Sequence, residues 1–294
     1  MKARGRSLFL SPLRPLLGAI AIVAASTVGF AAGDALAAPH SSAATIAERS
    51  GRGAMDYDWT WRLAPGRTIE IEGVNGTIRA TGTSGKDVVV HARKHARRSD
   101  PDKVTIEVLE HADGITLCVR YPDVWGRRAN TCAPHGGSHM STQDNDVSVD
   151  FDVQVPAGVQ LAARTVNGEV EAHSLEADAE AHTVNGSVTL ETRGRAEAST
   201  VNGSVRARLG SMGPGASLDF TTVNGSITLE LPENANAEVS AKNVNGGIQT
   251  DFPMTIRGSG FAGHRLQGVI GRGGPRLAVS TVNGSIHLRK AGSL

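Results

Sequence analysis

The sequence predicts an all-β protein, a parallel β-solenoid with coils of about 16–22 residues. Three observations carry that prediction. The tripeptide Val-Asn-Gly recurs at Asn75, Asn167, Asn185, Asn202, Asn224, Asn245 and Asn283. Apolar residues alternate with polar ones on both sides of each copy. Glycine is abundant, at 35 of 294 residues, while aromatic residues make up only 4%. That composition suits short strands and tight turns around a thin core rather than a thick globular one.

The N-terminus reads as a targeting segment. Lys2, Arg4, Arg6 and Arg14 form a basic start, an apolar run follows from Leu16 to Ala32, and Ala35-Leu36-Ala37 is a small-residue cleavage pattern. The reading is a signal peptide over 1–37, cleaved after Ala37. The apolar run is short and rich in Gly and Ala, which disfavours an uncleaved anchor, so no stable membrane span is expected after cleavage. Losing residues 1–37 removes four basic residues and one acidic one, leaving a net charge of −2. No strong field is implied, so nucleic acid is not an expected partner. Residues 38–56 are small, polar and aperiodic and read as a flexible leader.

Residues 57–160 read as divergent β-repeats. Val88–Val90, Lys103–Val108, Ile115–Tyr121 and the alternating Asp146–Val155 all have strand character. An insertion at 122–145, rich in Gly, Arg, His and Ser, interrupts them, and long loops on rigid scaffolds often carry function. Cys118 and Cys132 flank and enter it. Export would permit a disulfide between them, worth about 3 kcal/mol by loop-closure entropy.

Residues 161–290 hold the regular repeats, and 57–290 reads as one continuous domain. From Asn167 the spacings are 18, 17, 22, 21 and 38. The last is about two units, so a degenerate copy is expected at Arg265–Ile270 with Gln267 in the Asn place. The interval of 92 residues between Asn75 and Asn167 likewise suggests four to five drifted units. Around Asn224, the positions six and four before and three and five after hold Leu218, Phe220, Ile227 and Leu229. Period-two alternation on both sides means two half-buried strands per unit, and Asn-Gly tolerates the positive φ of a sharp turn. Stacked antiparallel hairpins would meet the same pattern. The solenoid also explains the monotony of the motif, because Val would stack on Val and Asn on Asn as a ladder.

The Thr-Val-Asn-Gly-Ser-Val repeats, the early Ile-Glu-Gly-Val-Asn-Gly-Thr-Ile and the Val-Gln-Val-Pro-Ala-Gly-Val at 153–159 resemble the DUF4097 family over roughly 57–290. These are bacterial β-strand-repeat proteins that carry a putative-adhesin label. The resemblance implies a right-handed parallel β-helix and transfers no catalytic residue. The insertion with its His and Cys residues departs from the family pattern.

Chemistry-bearing residues are few. Asn-Gly-(Ser/Thr) is a glycosylation sequon at Asn75, Asn185, Asn202, Asn224 and Asn283, but the hydroxyl is missing after Asn167 and Asn245 while Asn-Gly persists, so the constraint is the turn. His135 and His139, with Asp144 and Asp146 nearby, could bind a transition metal; Pro134 and two Gly argue for a solvated loop, and no metal or other cofactor is expected. Asp150 and Asp152 share a strand face, as polysaccharide-cleaving carboxylates do and as any wet face does. Arg93, Lys94, Arg97 and Arg98 form a basic cluster. Of the aromatic platforms a sugar site would use, only Trp59, Trp61 and Trp125 exist. No nucleophile–base set is apparent. The expectation is an exported, non-enzymatic solenoid of the periplasm or cell surface, adhesin-like or a scaffold for an envelope partner. Two alternatives stay open: an envelope-sensing or metal-binding module using 122–145, and a polysaccharide-acting enzyme.

Overall fold

Each Val-Asn-Gly is a corner between two strands that lie in different sheets. In the Asn224 repeat the chain runs along Ser217–Asn224 in one sheet, turns, and continues along Ile227–Leu231 in the other. The hairpin alternative fails on this point, because strands flanking a corner do not pair with each other. They pair in parallel with their counterparts in neighbouring repeats: Leu218 lies beside Leu277 and Ile227 beside Ile286. We call the sheet before the corners the entry sheet and the one after them the exit sheet. The protein is thus all-β, with two 11-stranded mixed sheets and no closed barrel. The computed structural model describes residues 47–51, 54–210, 217–262 and 265–291, which belong to one compact unit. The expected signal peptide, its cleavage site after Ala37 and most of the leader lie outside the described residues.

The core lies between the sheets and is filled by the residues that the alternation marks. Leu218, Phe220, Ile227 and Leu229 are buried, as are Leu277, Val279, Ile286 and Leu288. Two coils present only Ala179 and Ala181, or Ala196 and Ala198, from the entry sheet. The layer can be this thin because small residues on one sheet face Val and Leu on the other, which explains how so few aromatics suffice.

Three residues of the motif hold each corner to the next. The asparagines form a continuous ladder, with Asn167 Nδ2 donating to Asn75 Oδ1 at 2.8 Å, Asn185 to Asn167 at 2.8 Å, Asn202 to Asn185 at 2.8 Å and Asn224 to Asn202 at 2.9 Å. Asn283 then donates to Asn224 at 2.8 Å and Asn245 to Asn283 at 2.7 Å. With their amides so engaged, these residues tie one coil to the next. The buried Thr two positions earlier caps the adjacent coil: Thr200 Oγ1 donates to Gly186 O and Thr222 Oγ1 to Gly203 O, each at 2.8 Å. The glycine is required by space. A Cβ on Gly203 would sit 2.0 Å from the Gly186 carbonyl oxygen. Only Gly76, Gly246 and Gly284 among the corner glycines have positive φ, so the expected need for a left-handed backbone is corrected to a need for close approach. In four copies the Val before Asn points outward, with Val184, Val201, Val244 and Val282 37–56% exposed, whereas Val74 at the first corner is buried in the core.

The Asn245 coil lacks the Thr. Asn243 takes its place, 6% exposed, and neither end of its amide has a hydrogen-bond partner. Asn243→Thr should restore the bond to the adjacent Gly284 carbonyl and raise stability by about 1 kcal/mol. Urea denaturation measures this; an unchanged or lower midpoint rejects the assignment of Thr as the corner cap.

Three sequence expectations are corrected. Gln267 is not a ladder member: Arg265–Ile270 runs antiparallel to Ala237–Asn245, with Gln267 opposite Ser240. Parallel stacking is what brings one amide above the next, so an antiparallel strand cannot extend the ladder. The interval between Asn75 and Asn167 does not hold four to five coils either, since the Asn167 corner rests directly on the Asn75 corner. One coil lies beyond it, made by Gly114–Arg120 and Ser148–Pro156, which run parallel to Thr68–Glu72 and Ile78–Thr83. Its corner is replaced by the 122–145 insertion. Val88–His95 and Thr105–His111 are antiparallel and cover this end of the stack, as edge strands must be managed. Finally, the leader expected over 38–56 ends in strands, because Ala47–Gly51 and Ala54–Trp61 join the same edge as an antiparallel pair.

The stacking order also departs from chain order. The Asn283 coil lies between the Asn224 and Asn245 coils. The chain passes the Asn245 corner, reverses through Met254–Ala262 and Arg265–Ile270, and returns to fill the layer in between.

Candidate functional site

Entry-sheet strand Thr68–Glu72 carries two glutamates outward, Glu70 and Glu72, yet both are buried. The insertion covers them. Its frame is built from side chains: Cys118 and Cys132 form a disulfide, with Cα atoms 5.8 Å apart. The Asn130 amide donates to Tyr121 O and Ser141 O at 2.9 Å and accepts from Ser141 N at 2.6 Å. Thr131 and His139 exchange two backbone bonds of 2.9 Å. The Tyr121 hydroxyl donates to Val147 O at 2.8 Å, and burial pushes its pKa up to about 12. Polar groups buried with full partners make a loop rigid, so this segment is not a solvated tether.

Glu70 is the node beneath it. Its carboxylate accepts from the Thr116 hydroxyl at 2.8 Å, from the backbone N–H groups of His135 and Gly136 at 2.8 Å, and from Arg164 at 2.5 Å. Burial pushes the Glu70 pKa up, but these donors and the Arg164 charge outweigh it and hold the carboxyl below its usual range. Glu72 has the opposite balance. Burial raises it against the Ser138 hydroxyl, the Glu70 charge adds to the rise, and its Oε1 has no partner. Arg164 also reaches Glu180 at 2.7 Å.

At the rim of this network stand His111, Asp113 and His135, whose candidate ligand atoms lie within 4.8 Å of one another. His111 ends the strand Thr105–His111, and Asp113 sits in the turn that leads to Gly114–Arg120. His135 comes from the insertion. Its φ of 61° is left-handed, a conformation unfavourable for a residue with a side chain, and the two bonds to Glu70 hold it there. The three line a cleft of about 460 Å³ together with Gln160, Asp178 and Glu180. A second cleft, of about 450 Å³, lies on the insertion between Pro122–Trp125 and Thr142–Asn145. Trp125 stands on its rim, 99% exposed.

The candidate pair His135 and His139, from which the sequence predicts no metal site, does not form the cluster: His139 pairs through its backbone with Thr131, and His135 meets His111 and Asp113. Asp146 is structural: backbone N–H groups of Ser99, Arg97 and Arg98 hold it at about 2, with Ser99 foremost. Asp150 accepts from Thr77 N at 2.8 Å, beside the Asn75 corner. The basic cluster is dispersed, since Lys94 is buried with its Nζ on Val104 O and Arg93 pairs with Asp56 at 3.0 Å. Trp59 and Trp61 are buried, leaving Trp125 as the accessible indole. His111 and Asp113 were missed from sequence because the strand register, not a local motif, carries them to His135.

A model of the Toastrack DUF4097 family matches residues 67–289. Among solved structures, the chain is similar to a putative cell adhesion protein from Clostridium sporogenes, with 9% identity over 80% of this chain and 100% of that one and a TM-score of 0.48. It is also similar to a putative adhesin from Bacteroides fragilis, with 9% identity over 81% and 98% and a TM-score of 0.30. A putative adhesin from Parabacteroides distasonis gives 12% identity, 79% and 96% coverage and a TM-score of 0.21. No curated protein matches the sequence.

Proposed function

Because the chain belongs to the Toastrack DUF4097 family, we propose that it is an exported, non-enzymatic binding module of the bacterial cell envelope. In this reading it is a β-solenoid that presents its contact surface on the 122–145 insertion. One observation carries the reading: Trp125 stands fully exposed on a loop whose base is framed by Asn130 and the disulfide. Leaving an indole in water forgoes the burial that large apolar side chains normally gain, and an exposed aromatic is the kind of anchor that binding surfaces use. The adjoining cleft offers Asp123, Thr142, Gln143, Asp144 and Asn145. An indole face beside carboxylate and amide groups suits a sugar ring, whose apolar face stacks while its hydroxyls find partners. The repeats support the reading from the other side. Their recurring Thr, Asn and Gly are engaged in holding coils together, and Asp146 and Asp150 of the acidic strand are taken up in backbone bonds. No helix among the described residues is long and apolar enough to cross a membrane.

Binding to immobilised envelope polysaccharides tests this. Trp125→Ala should lower retention at least about tenfold, the loss of a good anchor contact, with the melting temperature unchanged because Trp125 packs on nothing. Retention equal to that of the parent would reject the insertion as the contact surface.

A further inference from the structure

We propose that His111, Asp113 and His135 form a Zn²⁺ site that links the hairpin turn at the sheet edge to the insertion. The chemistry of the set is specific. Two imidazoles and one carboxylate, with a position open to water, are a familiar donor set for zinc, whereas calcium takes oxygen ligands in larger number. The spacing is close to what the ion needs. Tetrahedral Zn²⁺ with bonds of about 2.0–2.1 Å holds neighbouring donor atoms about 3.3 Å apart. His135 Nε2 and Asp113 Oδ2 are already 3.4 Å apart. His111 needs a small rotation, and its ring already stands 5.4 Å from that of His135. Asp113 and His135 are exposed and His111 half-buried, so an ion can enter from the cleft.

Support around the ligands is already assembled, which distinguishes this trio from a chance surface group. The Thr116 hydroxyl gives its proton to Glu70 Oε2. Toward His111 Nε2, 3.1 Å away, it must therefore accept. That makes Nε2 the protonated nitrogen of His111 and leaves the lone pair on Nδ1. Nδ1 accepts a long hydrogen bond, 3.3 Å from Asp113 N, which a metal can replace. The second nitrogen of a zinc-ligating histidine usually donates to a carboxylate, carbonyl or water; here the Thr116 hydroxyl relays that donation to the Glu70 carboxylate. On the other side, Glu70 pins the backbone of His135 in its left-handed conformation, and the Cys118–Cys132 disulfide anchors the same loop. One buried carboxylate thus sets two of the three ligands. A bound ion would be a second cross-link over the covered glutamates, alongside the disulfide.

The test is calorimetric titration of the untagged, disulfide-oxidised protein with ZnCl₂, alongside His135→Asn and His111→Gln. Asn tolerates left-handed backbone and retains the N–H that donates to Glu70, so His135→Asn should fold; the melting curve of each metal-free variant checks this. The expected result is one saturable Zn²⁺ site whose affinity falls, in each variant, by more than the roughly 10- to 100-fold that loss of an outer-shell partner causes. Zn²⁺ should also raise the melting temperature of the parent alone. Absence of saturable binding by the parent overturns the proposal and leaves an ordinary His–Asp pair. Binding retained by both variants overturns it as well.

Discussion

Gly203→Ala should destabilise the protein by about 3 kcal/mol or more, while Gly247→Ala should leave it nearly unchanged. The two substitutions add the same methyl group. At Gly203 the new carbon would fall 2.0 Å from the Gly186 carbonyl oxygen, 2.5 Å from its carbon and 3.0 Å from Ser187 N. All three are backbone atoms, and none is the end of a flexible side chain. Relief requires the coils to separate at the corner, which lengthens the Asn202–Asn185 bond and the Thr200 cap together. Overpacking of this kind typically costs about 1–3 kcal/mol where side chains can shift, and more where they cannot. At Gly247 nothing lies within 4 Å of the added carbon. Paired urea titrations read both values. Equal destabilisation would mean that helix-free glycine entropy, common to both sites, governs the repeat instead of close approach.

Glu70→Ala should cost about 3–5 kcal/mol, the range for orphaning one side of a buried ion pair. It would strip partners at once from the Thr116 hydroxyl, the N–H groups of His135 and Gly136, and Arg164. The left-handed backbone of His135 would lose what holds it, so limited proteolysis should cut within 122–145 in the variant and spare the parent. A change confined to the global melting temperature, with the insertion still protected, would contradict this. The two glutamates also make opposite predictions for pH. Glu70, held below its ordinary value of 4.5, contributes stability above that pH which is lost as pH falls through its lower folded value. Glu72, raised above 4.5, contributes in acid, and that contribution is lost as pH rises through its folded value. Glu72→Gln mimics the protonated acid, so it should stabilise the protein at neutral pH and change little below about pH 4. Stabilisation of equal size at both pH values would reject the burial argument.

How much of this could be read from sequence depends on which contacts repeat. The core positions were legible because the same phase returns around every Asn. The ladder was legible because identical residues at near-equal spacing have a stacking reason to persist. Gln267 misled because spacing alone cannot report strand direction, and Arg265 in place of the usual Thr was the available warning. The interval from Asn75 to Asn167 misled for the same reason: Val-rich stretches at 88–90 and 147–155 look alike in parallel and antiparallel sheets. The site was harder still. His135 and the two Cys were visible, but His111 and Asp113 reach them only through the pairing of Thr105–His111 with Gly114–Arg120. Glu70 and Glu72 look like the wet residues of an ordinary strand until a distant loop covers them.

The Asn283 coil, inserted between the Asn224 and Asn245 coils, imposes an order of assembly. A chain that grows, or is threaded, from its N-terminus delivers the Asn245 strands before the layer on which they rest exists. Repeats up to Asn224 can add one upon another as they emerge, but the Asn245 segment must wait. The last strands to arrive have to slip into a slot, as the final stone does in an arch, and only then do both sheets become continuous. Loss of the C-terminal strands would therefore open a gap within the stack instead of merely shortening it.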